Sequence, residues 1–152
     1  MAADGILYTK LNPPRLQRYT WMRPRVAALL REALDCRVTI VQASTGYGKS
    51  TALAQLAQSV PSLFWYSASE GDTDPHQFLL NVIAAFRLRL PSLPDTPLAY
   101  LQENNARAAI DALINALNDL CTSSSLFVID DYYLAASNEV NALVVRHTNY
   151  ER

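Results

Sequence analysis

Apolar residues along this chain follow two alternating patterns, short unbroken runs and longer stretches at helical spacing. Val38, Ile40 and Val41 belong to the first run and predict a buried strand at about 38–42. Leu63-Phe64-Trp65-Tyr66-Ser67 predicts a second strand, short and aromatic, and Leu126-Phe127-Val128-Ile129 a third. Between the runs lie the helices. Pro24 suits a first helical position, and Val26, Leu29, Leu30 and Leu34 then follow helical spacing. A helix over 49–59 turns Leu53, Leu56 and Ala57 inward, and Pro61 stops it. Asp74 is an N-cap candidate with Pro75 behind it, and Leu79, Val82, Ile83, Phe86 and Leu90 form one apolar face. A further helix spans about 104–121 through Ile110, Leu113, Ile114, Leu117 and Leu120. The last runs from 137 to 147 through Val140, Leu143 and Val144. Pro91, Pro94 and Pro97 define a stiff connector. Pro13-Pro14 forbid early helix, so residues 1–22 read as an extended arm and 23–152 as the domain proper. No internal repeat is present. Strands alternating with helices predict an α/β fold, a parallel sheet with helices on both faces.

The bulk composition narrows the class without changing this picture. With 152 residues, half of them apolar and 18% charged, the chain is one globular domain's length. A net charge of -1 gives no electrostatic case for nucleic-acid binding by this chain. The bases are uneven, however: Lys10, Arg15, Arg18, Arg23, Arg25, Arg31 and Arg37 all precede the 38–42 run, suiting a solvated face or the neighbourhood of an anionic ligand. Pro13-Pro14 and the scarcity of Ser argue against a transit peptide, and no apolar run reaches membrane-spanning length. Cys36 and Cys121 are too few and too far apart for a disulfide framework or zinc site. Both are expected to be buried, and the default compartment is reducing cytoplasm.

The chemistry is concentrated where the 38–42 run meets Ala43-Ser44-Thr45-Gly46-Tyr47-Gly48-Lys49-Ser50-Thr51. Strand, glycine-containing loop and helix in that order form the context of a phosphate-binding P-loop, with Ala43 where the strictest pattern has Gly. Gly46 and Gly48 let the loop curl with positive φ, so that its N–H groups and those of Tyr47 turn inward onto a phosphate. The N-terminus of the following helix adds unpaired donors and a favourable dipole. Lys49 is expected between β- and γ-phosphates, Ser50 on Mg²⁺ and Thr51 near the α-phosphate. The alternative is a Gly-rich turn with a surface lysine and a Ser N-cap.

The third run ends in Asp130-Asp131, the form of a Walker B strand. Asp130 would hold Mg²⁺ through water, facing Ser50, and Asp131 would act as general base on the attacking water. Alone, such a pair is often a turn with an Asx cap. About eighty residues after a P-loop, it gains weight, because that spacing leaves room for βαβ units.

Further blocks are familiar in order and spacing: Lys10-Leu11-Asn12-Pro13-Pro14-Arg15, Met22-Arg23-Pro24-Arg25, Phe64-Trp65-Tyr66-Ser67-Ala68-Ser69-Glu70-Gly71-Asp72 and Ile129-Asp130-Asp131-Tyr132-Tyr133. With the Gly-Tyr-Gly-Lys loop they resemble the ATPase domain of MalT-like, ATP-dependent LuxR-type transcriptional regulators, P-loop NTPases of the STAND class. Regulators with a bacterial transcriptional activator module carry a similar domain. The resemblance implies binding of ATP or ADP with Mg²⁺, slow hydrolysis that resets a switch, and self-association in a full-length form. It also implies DNA contact only through a further domain. By position, Lys49, Ser50 and Thr51 take the phosphate and Mg²⁺ roles, Asp130 and Asp131 the Walker B roles, and Trp21-Met22-Arg23 the stretch lining the base. Ala68-Ser69 and Tyr133 depart from the family's usual Leu-Asp and His. The family has a further strand carrying a sensor arginine, lying between the P-loop and Walker B strands. The chain therefore reads as an N-terminal fragment, truncated after the helix following Walker B. Strands 38–42 and 126–130 should then either pair directly or leave a gap.

Other readings compete. A small kinase or free-standing NTPase is the second reading, but a kinase would need an acceptor site and basic lid residues, and after Walker B only Arg146 and Arg152 are at hand; a non-functional remnant is the third. Glu70, Asp72 and Asp74 either approach Mg²⁺ or cap helices. Trp65 and Tyr66 read as core packing, His76 as a partly exposed polar residue, and His147 as a helix C-terminal cap.

Overall fold

In the computed structural model, which describes residues 6–148, two parallel strands form the sheet. β1 (Leu63–Ser67) pairs with β2 (Leu126–Asp130) in a register running from Leu63 opposite Leu126 to Ser67 opposite Asp130. A parallel pair needs a long crossover. It is supplied by α3 (Pro75–Arg89), α4 (Thr96–Gln102) and α5 (Ala106–Leu120). α1 (Pro24–Ala33) and α2 (Lys49–Ala57) precede β1 and pack on each other, and α6 (Asn138–Thr148) follows β2 and packs on α5. The architecture is mixed helix and strand with a small parallel sheet, compatible with the α/β expectation.

Alternation along β1 explains how it is held. Phe64 and Tyr66 enter the main apolar cluster with α3, where Phe64 meets Phe86 at 4.6 Å between ring centroids and Tyr66 meets Phe78 at 5.6 Å. Trp65 faces the other way, lies outside that cluster and is nonetheless buried, as is its cross-strand partner Val128. Its indole N–H donates to Ser67 Oγ at 2.8 Å on the same face. β1 is thus covered on both sides, as a parallel strand requires. Trp65 and Tyr66 are packing residues.

Most helices begin where their caps predict. The Asp74 carboxylate accepts from the Gln77 N–H at 2.9 Å and starts α3 with Pro75 in its first turn. Asn105 does the same for α5 through the Ala108 N–H. Ser137 Oγ accepts from the Val140 N–H at 3.1 Å to open α6, and its own hydroxyl donates to the Thr73 carbonyl.

Three expectations need correction. The connector at 91–97 is part helix: Pro97 lies in the first turn of α4, where its missing N–H costs nothing. Cys36 is exposed and Cys121 is half-buried at the end of α5, so neither is fully buried. Most consequential, 38–42 is not a strand. Val38, Ile40 and Val41 are 50%, 79% and 38% exposed, and β2 pairs only with β1. The cause is the absence of a ladder partner: among the described residues no strand lies beside this segment, and an isolated β-prone run gains nothing from being extended. The direct pairing of 38–42 with 126–130, one of the two outcomes expected, is absent, because 38–42 is not a strand.

The N-terminal arm is extended only in part. Tyr8–Leu11 forms a 3₁₀ turn that buries Leu11 in the main cluster, with Ile6 packed against it.

Candidate phosphate-binding loop and carboxylate pair

The loop before α2 has the backbone its glycines were expected to allow. Gly46 has φ +87° and Gly48 φ +79°, and Gly48 sits in the left-handed region as the N-cap of α2. A Cβ on Gly48 would come no nearer than 3.9 Å to Arg23 Nη2, so the requirement for glycine is conformational rather than spatial. The Tyr47 N–H donates to the Ser44 carbonyl at 3.3 Å and tightens the turn. The first bond of α2 runs from the Ala52 N–H to the Gly48 carbonyl, so the N–H groups of Lys49, Ser50 and Thr51 precede the intrahelical ladder. No side chain caps them.

Two side chains bond to this loop, and a third ties α2 to the segment before α1. The Lys49 ammonium donates to the Ala43 carbonyl, closing the loop on itself. The Arg23 guanidinium donates to the Tyr47 carbonyl at 3.3 Å, and the Gln55 amide to the Trp21 carbonyl at 3.4 Å. The side chains of Tyr47 and Trp21 are exposed beside it.

β2 delivers the carboxylates. Asp130 is its last residue and is buried, and its carbonyl accepts from the Ala68 N–H at 2.9 Å. Its side chain shares the β-sheet face of Trp65 and Ser67. At Asp131 the chain turns into the left-handed region, φ +53° and ψ +34°, and its N–H bonds back to Asp130 Oδ1 at 3.1 Å. Burial, then the neighbouring Asp130 charge, raise the Asp131 pKa above the usual carboxylate range, and Lys49 pulls it back. The first residue of α2 therefore stands within electrostatic reach of the end of β2. The charge of Lys49, which has Ser50 and Thr51 beside it in the same helical turn, is thus felt at Asp131 even though 38–42 is not in the sheet. Among the described residues no cluster of three or more His, Cys, Asp or Glu could hold a metal by itself. A hydroxyl and a carboxylate completed by phosphate and water oxygens is instead the kind of set that suits Mg²⁺.

The second acidic group is structural. Asp72 is 2% exposed; its carboxylate receives Lys10 Nζ at 3.0 Å, the Ser69 N–H at 2.8 Å, Ser69 Oγ at 3.0 Å and Asn81 Nδ2 at 3.0 Å. Burial opposes its charge, but Tyr66, Lys10 and Ser69 together outweigh that and lower its pKa. Tyr66 responds oppositely: burial, reinforced by Asp72, raises its hydroxyl well above the ordinary tyrosine range. With Asp74 capping α3, both acids cap or pair rather than face Mg²⁺. Sequence reasoning missed Lys10 and Asn81 as partners of Asp72; the one available signal was the Ser69…Asp72 capping-box spacing. His147 does not act as a charged cap. Its Nδ1 is buried without a partner, and burial lowers its pKa. Arg146 is held by the Asp111 carboxylate across α5 and α6, and Arg152 lies outside the described residues.

Comparison with known proteins extends the picture. No family model matches the chain. Over 139 residues, 90% of its length, it is 30% identical to the HTH-type transcriptional regulator MalT of Yersinia pestis. Over the same length it is 32% identical to the regulator of that name from Serratia proteamaculans. Over most of its length the chain is thus similar to MalT regulators. The chain spans about 15% of the length of the curated MalT relatives it matches. Among the described residues no helix is long and apolar enough to cross a membrane.

Proposed function

We propose that this chain is an ATP-binding, slowly hydrolysing nucleotide-switch domain of a bacterial-type transcriptional regulator, acting in the cytoplasm as a P-loop NTPase of the STAND class. One observation carries the reading: Gly46 and Gly48 turn with positive φ into a helix that opens on Lys49 and whose first N–H groups no side chain caps. A cation and uncapped backbone donors at one helix start, with the Asp130–Asp131 pair ending β2, suit a phosphate chain with its metal ion. The similarity to MalT regulators supports the regulatory context.

Each residue then has a task. The N–H groups of Gly46 and of Gly48 to Thr51 bind phosphate oxygens while that of Tyr47 holds the turn on Ser44, and Lys49 leaves the Ala43 carbonyl to share them. Ser50 and Asp130 would hold Mg²⁺, which supplies charge neutralisation on the phosphates when bound. Arg23 holds the Tyr47 carbonyl and so keeps the loop's N–H groups turned inward. Asp131, whose raised pKa makes it a better proton acceptor than an ordinary aspartate, takes the proton of an attacking water. The competing kinase reading would need Arg146 as a lid residue, but that side chain is already committed to Asp111. In a full-length form the nucleotide state would govern self-association, and DNA contact would pass through a further domain.

The test is calorimetric titration of the chain with ATP and with ADP, each with and without Mg²⁺. Saturable, 1:1, Mg²⁺-enhanced binding of both nucleotides is expected; no saturable heat with either would contradict the reading.

A further inference from the structure

The main apolar cluster and the phosphate loop belong to different parts of the packing. Leu11 and Ile6 are in or against that cluster, but no described residue from 12 to 63 is. α1, the loop and α2 therefore lie outside it, and α1 is shallowly seated, with Leu30 buried while Leu29 and Leu34 are exposed. The chain joins the two parts twice, through residues 10–23 ahead of α1 and through 58–62 between α2 and β1, and both ends of the first stretch are tied. At one end Lys10 enters the Asp72–Ser69–Asn81 network, and Asn12 Oδ1 accepts from Arg89 of α3 at 3.3 Å. At the other, the Trp21 carbonyl takes Gln55 of α2, and Arg23 holds the Tyr47 carbonyl inside the loop. The middle is thinly supported: Tyr19, Trp21 and Met22 are exposed, and Thr20 bonds only back to Gln17. A strap held at its ends transmits what its anchors do, and few buried contacts resist local opening.

We propose that Lys10 is a positioning residue for the phosphate loop: its ion pair with buried Asp72 anchors residues 10–23 as a strap that holds Arg23 on the Tyr47 carbonyl. The proposal rests on the phosphate-binding reading only for what the loop is for; the mechanical coupling is independent of it. Lys10 touches no part of the loop itself. Its effect passes through the strap, so it should vanish when the far tie is cut.

Hydrogen exchange of the full chain without nucleotide tests this, comparing wild type with Lys10→Met, Lys10→Arg, Arg23→Ala and the Lys10→Met/Arg23→Ala double variant. In Lys10→Met, the amides of Tyr47 and Ala52, which close the loop and the first turn of α2, should exchange about tenfold faster or more. Those of α5 and β2 should be far less affected. Arg23→Ala should do the same, the double variant should be no faster than Arg23→Ala, and Lys10→Arg should restore much of the protection. Unchanged Tyr47 and Ala52 amides in Lys10→Met, multiplying effects in the double variant, or equal acceleration throughout α5 and β2 would each overturn the coupling. If wild type binds no nucleotide but the exchange pattern holds, the functional reading fails and the strap stands.

Discussion

Asp131 is the residue most at odds with its surroundings. It is a non-glycine in the left-handed region, its pKa raised by burial and by the Asp130 charge. A folded-state pKa above the unfolded value means that its stabilising contribution is complete below the unfolded pKa and is lost as pH rises through the folded one. At neutral pH the ionised side chain therefore weakens the fold. Asp131→Asn removes the charge and suits the left-handed backbone at least as well, so its melting temperature at pH 7 should exceed wild type. That advantage should shrink as pH falls through the Asp131 titration, and hydrolysis by any active form should slow. Melts across pH 3 to 7 check the first part; an Asn variant less stable than wild type at pH 7 would contradict it. Asp72 titrates with the opposite sign. Its lowered pKa contributes stability above the unfolded value near 3.9, lost as pH falls through the folded value. Lys10→Met should cost about 1.5–3 kcal/mol at pH 7, with the loss narrowing below about pH 4 as Asp72 protonates. Urea unfolding at both pH values measures it; a constant difference would mean that packing, not the ion pair, sets the cost.

At the scale of elements, apolar runs mean different things depending on what lies beside them. Ile40 and Phe86 are both large apolar residues in predicted elements, yet Ile40 is 79% exposed while Phe86 packs on Phe64 and Phe127. Ile40→Ser should thus change stability by no more than about 0.5 kcal/mol, whereas Phe86→Ala should cost about 3–5 kcal/mol. Chemical denaturation of the two variants tests this; comparable losses would place 38–42 in the core. The same contrast shows what could be read beforehand. α3, α5, β1 and β2 were legible because periodicity, caps and flanking prolines agreed locally. Segment 38–42 was not, because a strand depends on its ladder neighbours and no local pattern reports whether they are there. α4 was hidden by Pro97, which serves a helix's first turn as readily as a connector. Lys10 and Asp72 lie 62 residues apart, and their pairing is a product of the fold. The loop glycines and the Asp130–Asp131 pair were visible from the start, but their approach through Lys49 was a matter of geometry.

At the scale of the whole molecule, a cluster built on β1, α3 and α5 carries β2 and its carboxylates, and the α1–loop–α2 part outside it carries the lysine whose charge is felt at Asp131. The similarity to MalT regulators covers both parts, since it runs over 90% of the chain. The central claim is that this convergence binds a nucleotide's phosphates, and Lys49 is where it can be tested most directly. Its ammonium contributes charge-assisted hydrogen bonds of about 1.5–3 kcal/mol each, so Lys49→Ala should weaken Mg²⁺-ATP binding by roughly ten- to a hundredfold. The fold should be intact, because Lys49 only closes its own loop on Ala43. Titrating a labelled ATP analogue against wild type and Lys49→Ala, with melts to confirm folding, makes the measurement. A weakened but folded variant is the predicted result, and equal affinities in two folded proteins would contradict the account.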